Sequence, residues 1–183
     1  MSRTAVPVTN IVIAGLGGQG VLTASDIVAD LAFHAGFDVK KSEVHGMSQR
    51  GGSVASDVRY GSQVFSPMVP EGEAHFLVAI TADQVPVNAA VVSKTGVVIE
   101  PSQLDEIKLR NKKSLNVALL GILSRHMDFS AEQWDAAIRR CLPENLHRRI
   151  SRHLLWGGEH DACGTASPIL LSPHQRARLH SPA

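Results

Sequence analysis

The sequence predicts a single α/β domain: a Rossmann-like, mostly parallel sheet flanked by helices. Three observations carry the prediction. Short β-branched apolar runs recur along the chain, helical stretches separate them, and a glycine-rich turn joins the first run to the first helix.

Residues 8–14, VTNIVIA, are apolar on both faces, as a buried strand of a parallel sheet requires. GLGGQG follows at 15–20. Beyond it Val21, Leu22, Ala24, Val28, Leu31 and Ala32 favour one side at helical spacing, and Gly36 is placed to end that helix. Residues 37–44 read as a second strand. This strand–turn–helix–strand unit predicts a parallel pair joined by a right-handed crossover. Residues 45–52, HGMSQRGG, are too rich in glycine for helix or strand. At 53–60, Val54, Ser56, Val58 and Tyr60 alternate with Ala55, Asp57 and Arg59, a strand pattern, and a turn at Gly61 and Ser62 leads to an expected hairpin partner at 63–65.

Residues 67–72 read as a loop and HFLVAI at 75–80 as another buried strand. Residues 85–93 are weakly helical, and a turn at Thr95 and Gly96 opens a short strand at 97–100. Residues 102–113 are charged and expected to be partly exposed. LNVALLGILSRH at 115–126 predicts a buried helix, with Asn116 its cap in preference to a ligand contact. Ser130 and Gln133 form a capping-box pattern for a helix that runs to about Cys141 and stops before Pro143. Residues 144–156 predict a last amphipathic helix. The domain thus spans 8–156. Residues 157–183, rich in Gly, Pro, Ser and His, are expected to form a flexible tail.

Composition excludes several functions. With 18 Lys+Arg against 17 Asp+Glu, the 183-residue chain has no basic footprint for nucleic acid. No apolar run approaches the roughly 18 residues of a membrane span, and residues 1–10 lack a signal-peptide core, so a cytoplasmic protein is expected. The two cysteines, Cys141 and Cys163, are far apart and are expected to be reduced and structural. An iron–sulfur cluster needs about four thiolates. His147, His153, His160, His174 and His180 with Cys163 match no standard ligand spacing, so no metal site is expected. Arg139, Arg140, Arg148, Arg149 and Arg152 read as a solvated helix face or a subunit contact.

Both glycine-rich segments follow strands, and ligands of such sheets bind beyond the carboxyl ends of the strands. The two loops are therefore expected at one edge of the sheet. In the first, Gly15, Gly17, Gly18, Gln19 and Gly20 satisfy G-x-G-x-x-G between a strand and a helix, where free N–H donors and the helix dipole suit a phosphate. Three readings stand: a dinucleotide site, with Glu43 as the acidic ribose ligand; the pyrophosphate of another nucleotide-like ligand such as coenzyme A; or a turn that only packs helix on sheet. In the second, Glu43, His45, Met47, Gln49, Arg50, Gly51 and Gly52 concentrate unusual chemistry in one loop. Arg50 can grip a carboxylate or phosphate with two hydrogen bonds, and His45 can exchange a proton near neutral pH. The structural alternative is an Arg50–Glu43 ion pair that shapes the loop.

IVIAGLGGQGV, SEVHGMSQRGGSV, SPMVPEG and LNVALLG together resemble the beta subunit of indolepyruvate:ferredoxin oxidoreductase, which is similar to the gamma domain of pyruvate and 2-oxoglutarate ferredoxin oxidoreductases. The resemblance covers about residues 10–142, and the EVHGM-QRGG wording points to the indolepyruvate branch. The stretch between Ile80 and Leu115 is shorter than is typical of that branch, and the tail after Gly157 has no counterpart. The resemblance implies a complex that decarboxylates a 2-oxoacid, of arylpyruvate type, to acyl-CoA and carbon dioxide, with ferredoxin as electron acceptor. Thiamine diphosphate with Mg2+ and the [4Fe-4S] clusters would reside in a large alpha subunit. This chain would hold no cofactor alone and would complete the coenzyme A or substrate site with its two glycine loops. The alternatives are a stand-alone NAD(P)-binding protein and a purely structural subunit.

Overall fold

The computed structural model describes residues 6–46, 51–104 and 115–144. In chain order these form β1 (Thr9–Leu16), α1 (Val21–His34), β2 (Asp38–His45), β3 (Ser53–Gly61), β4 (Ala74–Ala79), the short α2 (Gln84–Val87), β5 (Val92–Ile99), α3 (Leu115–Leu123) and α4 (Ala131–Cys141). The expected helix at 144–156 and the tail lie outside the described residues.

The five strands make one sheet in the order β2-β3-β1-β4-β5. β1 pairs with β4 and β4 with β5 in parallel, whereas β3 is antiparallel to both β1 and β2. Four strands therefore run one way and β3 opposes them. This corrects the expected β1–β2 pair: the two strands share a direction, as the crossover implies, but β3 lies between them. The cause is the connection at residues 46–52. It is short enough to turn β2 back on itself as a hairpin, and β3 then fills the place beside β1.

The hairpin partner expected at 63–65 is also absent. Side chains of the sheet instead take up the backbone groups that a strand would pair. Val64 N–H donates to Asp38 Oδ2 (2.7 Å) and Val69 N–H to Asp57 Oδ2 (2.9 Å), while Arg59 Nη1 donates to the carbonyls of Ser66 (3.1 Å) and Met68 (2.9 Å). Residues 62–73 thus lie across one face as an irregular strap. The weak helix at 85–93 shortens to α2 and one 3-10 turn, and β5 begins earlier than expected, at Val92.

The sheet buries both faces unequally. On one, α1, α3 and α4 enclose the larger core, including Ile11, Ile13, Ile27, Leu119, Trp134 and Ile138. On the other, the strap and α2 cover a smaller cluster of Val12, Ala14, Val69, Ala74, Leu77 and Val98. The alternation in β3 agrees with this division, with Val54, Val58 and Tyr60 on the larger core. α4 starts with the predicted capping box: Gln133 N–H donates to Ser130 Oγ (3.3 Å), and Ser130 N–H to Gln133 Oε1 (2.8 Å). Arg140 then ties α4 to α1 through Asp30 (2.7 Å). No described helix is long and apolar enough to cross a membrane.

Candidate functional site

The parallel strands β1 and β4 deliver their carboxyl ends to one edge of the sheet, where the first glycine loop begins. Within that loop Gln19 N–H donates to the Leu16 carbonyl (3.1 Å), and Gln19 Oε1 accepts from Leu16 N–H (2.7 Å). The Gln19 side chain is therefore folded onto its own loop. At Gly15 an added Cβ would lie 2.8 Å from Val21 Cγ2 and 3.2 Å from Ile80 Cβ, so this glycine lets α1 approach the sheet. Gly20 caps α1 at φ 81°. A Cβ there would lie 2.4 Å from Asn116 Nδ2, and that nitrogen donates to the Gly20 carbonyl at 3.2 Å. Asn116 was expected to cap α3; it is instead the second residue of α3 and bridges to the N-cap of α1.

The second loop leaves β2 and returns as β3 at the same edge. Gly46 N–H donates to the Ser53 carbonyl (2.7 Å), closing the base of the hairpin. Gly17 N–H donates to the Gly52 carbonyl (2.9 Å), so the two glycine loops touch directly. Their expected common location is observed. Gly17, Gly18 and Gly51 are exposed beside this contact. Met47, Gln49 and Arg50 lie outside the described residues.

Glu43 and His45 end β2 on the side facing α1. Lys41 Nζ bridges Asp26 Oδ1 of α1 (2.6 Å) and Glu43 Oε1 (2.8 Å), and His45 Nε2 lies 3.6 Å from Glu43 Oε2. The Lys41 hydrogen bond, with a smaller contribution from His45, holds the Glu43 carboxyl below its usual range. Burial acts to lower Lys41, but its two carboxylate partners outweigh it and the net shift is upward. This geometry counts against the dinucleotide reading of Glu43. A ribose ligand should end the strand beside β1, whereas β3 intervenes and puts β2 two strand spacings, about 10 Å, from β1.

Gln84 is the residue that sequence reasoning missed. Its side chain is 4% exposed, and its Oε1 accepts from Ser53 Oγ at 2.5 Å. The available signal was positional: Gln84 follows closely on the buried run HFLVAI, at the carboxyl end of a parallel strand.

The donor set of this chain does not fit an iron–sulfur cluster. The sequence holds two cysteines, and burial, reinforced by Asp30 and Asp26, pushes the Cys141 thiol up to about 11. Cys163 and the histidine-rich segment lie outside the described residues.

The fold of this α/β sheet is shared with solved oxidoreductase subunits. The pyruvate oxidoreductase subunit PORC of Thermotoga maritima matches with a TM-score of 0.65 at 20% identity, covering 82% of this chain and 94% of its own. The 2-oxoglutarate:ferredoxin oxidoreductase of Magnetococcus marinus, solved with 2-oxoglutarate, coenzyme A and succinyl-CoA bound, matches with a TM-score of 0.69 at 17% identity, over 85% of this chain and 31% of that one. At such identities the likeness is one of fold.

Sequence places the chain more narrowly. The family model for pyruvate ferredoxin/flavodoxin oxidoreductase matches residues 10–151, and the chain belongs to that family. The indolepyruvate oxidoreductase subunit IorB of Archaeoglobus fulgidus is 34% identical, over 75% of this chain and 87% of its own length. The subunit of the same name from Thermococcus kodakarensis is 53% identical over 70 residues; that match spans only 35% of the relative and 38% of this chain.

Proposed function

We propose that this chain is the small subunit of a thiamine-diphosphate-dependent 2-oxoacid:ferredoxin oxidoreductase acting on arylpyruvates, and that its two glycine loops form one wall of the coenzyme A or substrate passage. The observation that carries the reading is the Gly17 N–H to Gly52 carbonyl contact of 2.9 Å. It joins the loop that leads into α1, whose N-cap Gly20 brings no side chain to the helix end, to the loop that carries Arg50, at the edge where sheets of this kind receive ligands. The substrate class follows from the relatives named indolepyruvate oxidoreductase subunit, and coenzyme A from the ligands of the Magnetococcus marinus structure.

In this reading thiamine diphosphate with Mg2+ and the [4Fe-4S] clusters of a large alpha subunit supply decarboxylation and one-electron transfer to ferredoxin. The chain's own residues bind and orient. The first turn of α1 offers backbone N–H groups and its positive end to an anionic group. Arg50 grips a carboxylate or phosphate oxygen. His45, its side chain 55% exposed beside Glu43, is available at the end of β2 to hold or pass a proton. The reading needs a partner, because a chain with two cysteines cannot carry the electron path alone.

The test is Arg50→Ala in the assembled complex. Loss of one charge-assisted hydrogen bond costs about 1.5–3 kcal/mol, so KM for coenzyme A or the oxoacid should rise roughly 10- to 100-fold with assembly intact. Unchanged kinetics for both Arg50→Ala and His45→Ala in an intact complex would reduce the chain to a structural subunit.

A further inference from the structure

Burying an amide side chain is unfavourable unless its polar atoms find partners. Gln84 is nonetheless buried at the head of α2, where Val85 packs into the smaller core. Its backbone is fixed on both sides: its N–H donates to the Thr81 carbonyl (3.0 Å), and its carbonyl accepts from Asn88 N–H (3.2 Å) and Asn88 Nδ2 (2.9 Å). Just upstream, Ile80 N–H donates to the Ala14 carbonyl (2.7 Å), which secures the turn to the end of β1. From this platform Gln84 Oε1 takes the Ser53 hydroxyl at 2.5 Å. Ser53 is the residue at which the second glycine loop rejoins the sheet, opposite Leu16 of β1. Among the described residues, the other anchors at the base of that loop, Gly46 to Ser53 and Gly17 to Gly52, are backbone contacts that any sequence of the same shape can make. The Ser53–Gln84 pair is a side-chain anchor, and it comes from an element outside both loops.

We propose that Gln84 is a positioning residue for the ligand loop. Its buried amide fixes Ser53, and so sets where Gly52 meets Gly17 at the edge assigned to coenzyme A or the oxoacid. The inference rests on the reading of the chain as the subunit that completes the ligand passage. Gln84 touches no reacting atom in this role; it acts through Ser53.

Gln84→Met tests it, because methionine fills a similar volume and removes the acceptor. Two quantities are read on the assembled complex: hydrogen–deuterium exchange of residues 46–53, and KM against kcat for both substrates. The expected result is faster exchange confined to 46–53, with KM raised about three- to tenfold for one substrate and kcat within about twofold. Ser53→Ala removes the donor of the same bond and should reproduce the effect, and the double variant should be no worse than either single. If Gln84→Met does not assemble, Ser53→Ala carries the test.

Unchanged exchange at 46–53 overturns the proposal whatever the kinetics. Faster exchange with unchanged KM also overturns it, and Arg50→Ala in the same preparation then separates two failures. If Arg50→Ala raises KM, the ligand passage stands and only the role of Gln84 falls. If neither variant alters KM, the assignment of the loops to ligand binding falls with it.

Discussion

The two glycine loops meet at the hydrogen bond from Gly17 N–H to the Gly52 carbonyl, and their described residues are anchored in different ways. The first is locked from within and from below: Gln19 closes it on Leu16, Gly15 seats it on Val21 and Ile80, and Asn116 holds the Gly20 carbonyl. The second, among its described residues, is anchored through Gly46, Gly52 and Ser53.

Glycine substitutions should break this contrast with the largest effect. Gly20→Ala must place a side chain at φ 81° and 2.4 Å from the Asn116 amide. Left-handed strain and the clash together should cost on the order of 3 kcal/mol, lowering Tm by roughly 6–12 °C in a chain of this size. Gly51, also at positive φ (66°), has no neighbouring atom within 4 Å of an added Cβ, so Gly51→Ala should cost about 1 kcal/mol of strain alone. Thermal unfolding of the two variants checks the difference; equal losses would mean that the first loop is no more tightly packed than the second. Asn116→Ala should partly relieve Gly20→Ala, so the double variant should lose less than the sum of the singles.

Much of the fold was legible in the sequence, because the governing signals were local. The buried runs 8–14 and 75–80, the periodicity after Gly20 and the Ser130 capping box each fix an element without outside help. Strand order was not legible. Whether β2 or β3 neighbours β1 depends on where the hairpin closes, and the glycine-rich turn at 46–52 reads equally well as a ligand loop between distant strands. The start of the strap, 63–65, was misread for a related reason, whereas 67–72 is the loop expected. Asp38, Asp57 and Arg59 replace a strand's ladder with side-chain hydrogen bonds, and no periodicity announces such bonds. At the site, the two loops and their common edge followed from glycine spacing after strands, whereas Gln84 and the Asn116–Gly20 bridge join residues 31 and 96 positions apart.

A smaller effect sharpens the account of the first loop. Gln19 stands within a motif expected to bind phosphate, yet its side-chain oxygen is engaged with Leu16 N–H. Gln19→Ala should therefore lower stability by about 1 kcal/mol through the lost hydrogen bond and leave KM for both substrates within about twofold. A rise in KM without loss of stability would make Gln19 a ligand contact instead of a brace of the first loop.

The smallest effect concerns how the second loop's charges are held. Lys41 is the first cause of the low Glu43 carboxyl, and it also reaches back to Asp26 of α1, so the foot of this loop is clamped to the helix that the first loop caps. A carboxyl depressed in the folded state contributes stability that is present above its unfolded value, 4.5, and is lost as pH falls through the folded value. Lys41→Met removes the clamp. The Glu43 titration, followed by carbon-13 NMR of its side-chain carboxyl, should then move up toward the ordinary range, and the acid limb of the stability curve should flatten slightly. Because Glu43 is solvent-facing, the shift in its titration is the more sensitive readout. An unmoved titration would place the source of the depression in His45, beside Glu43 on β2, instead of in the clamp to α1.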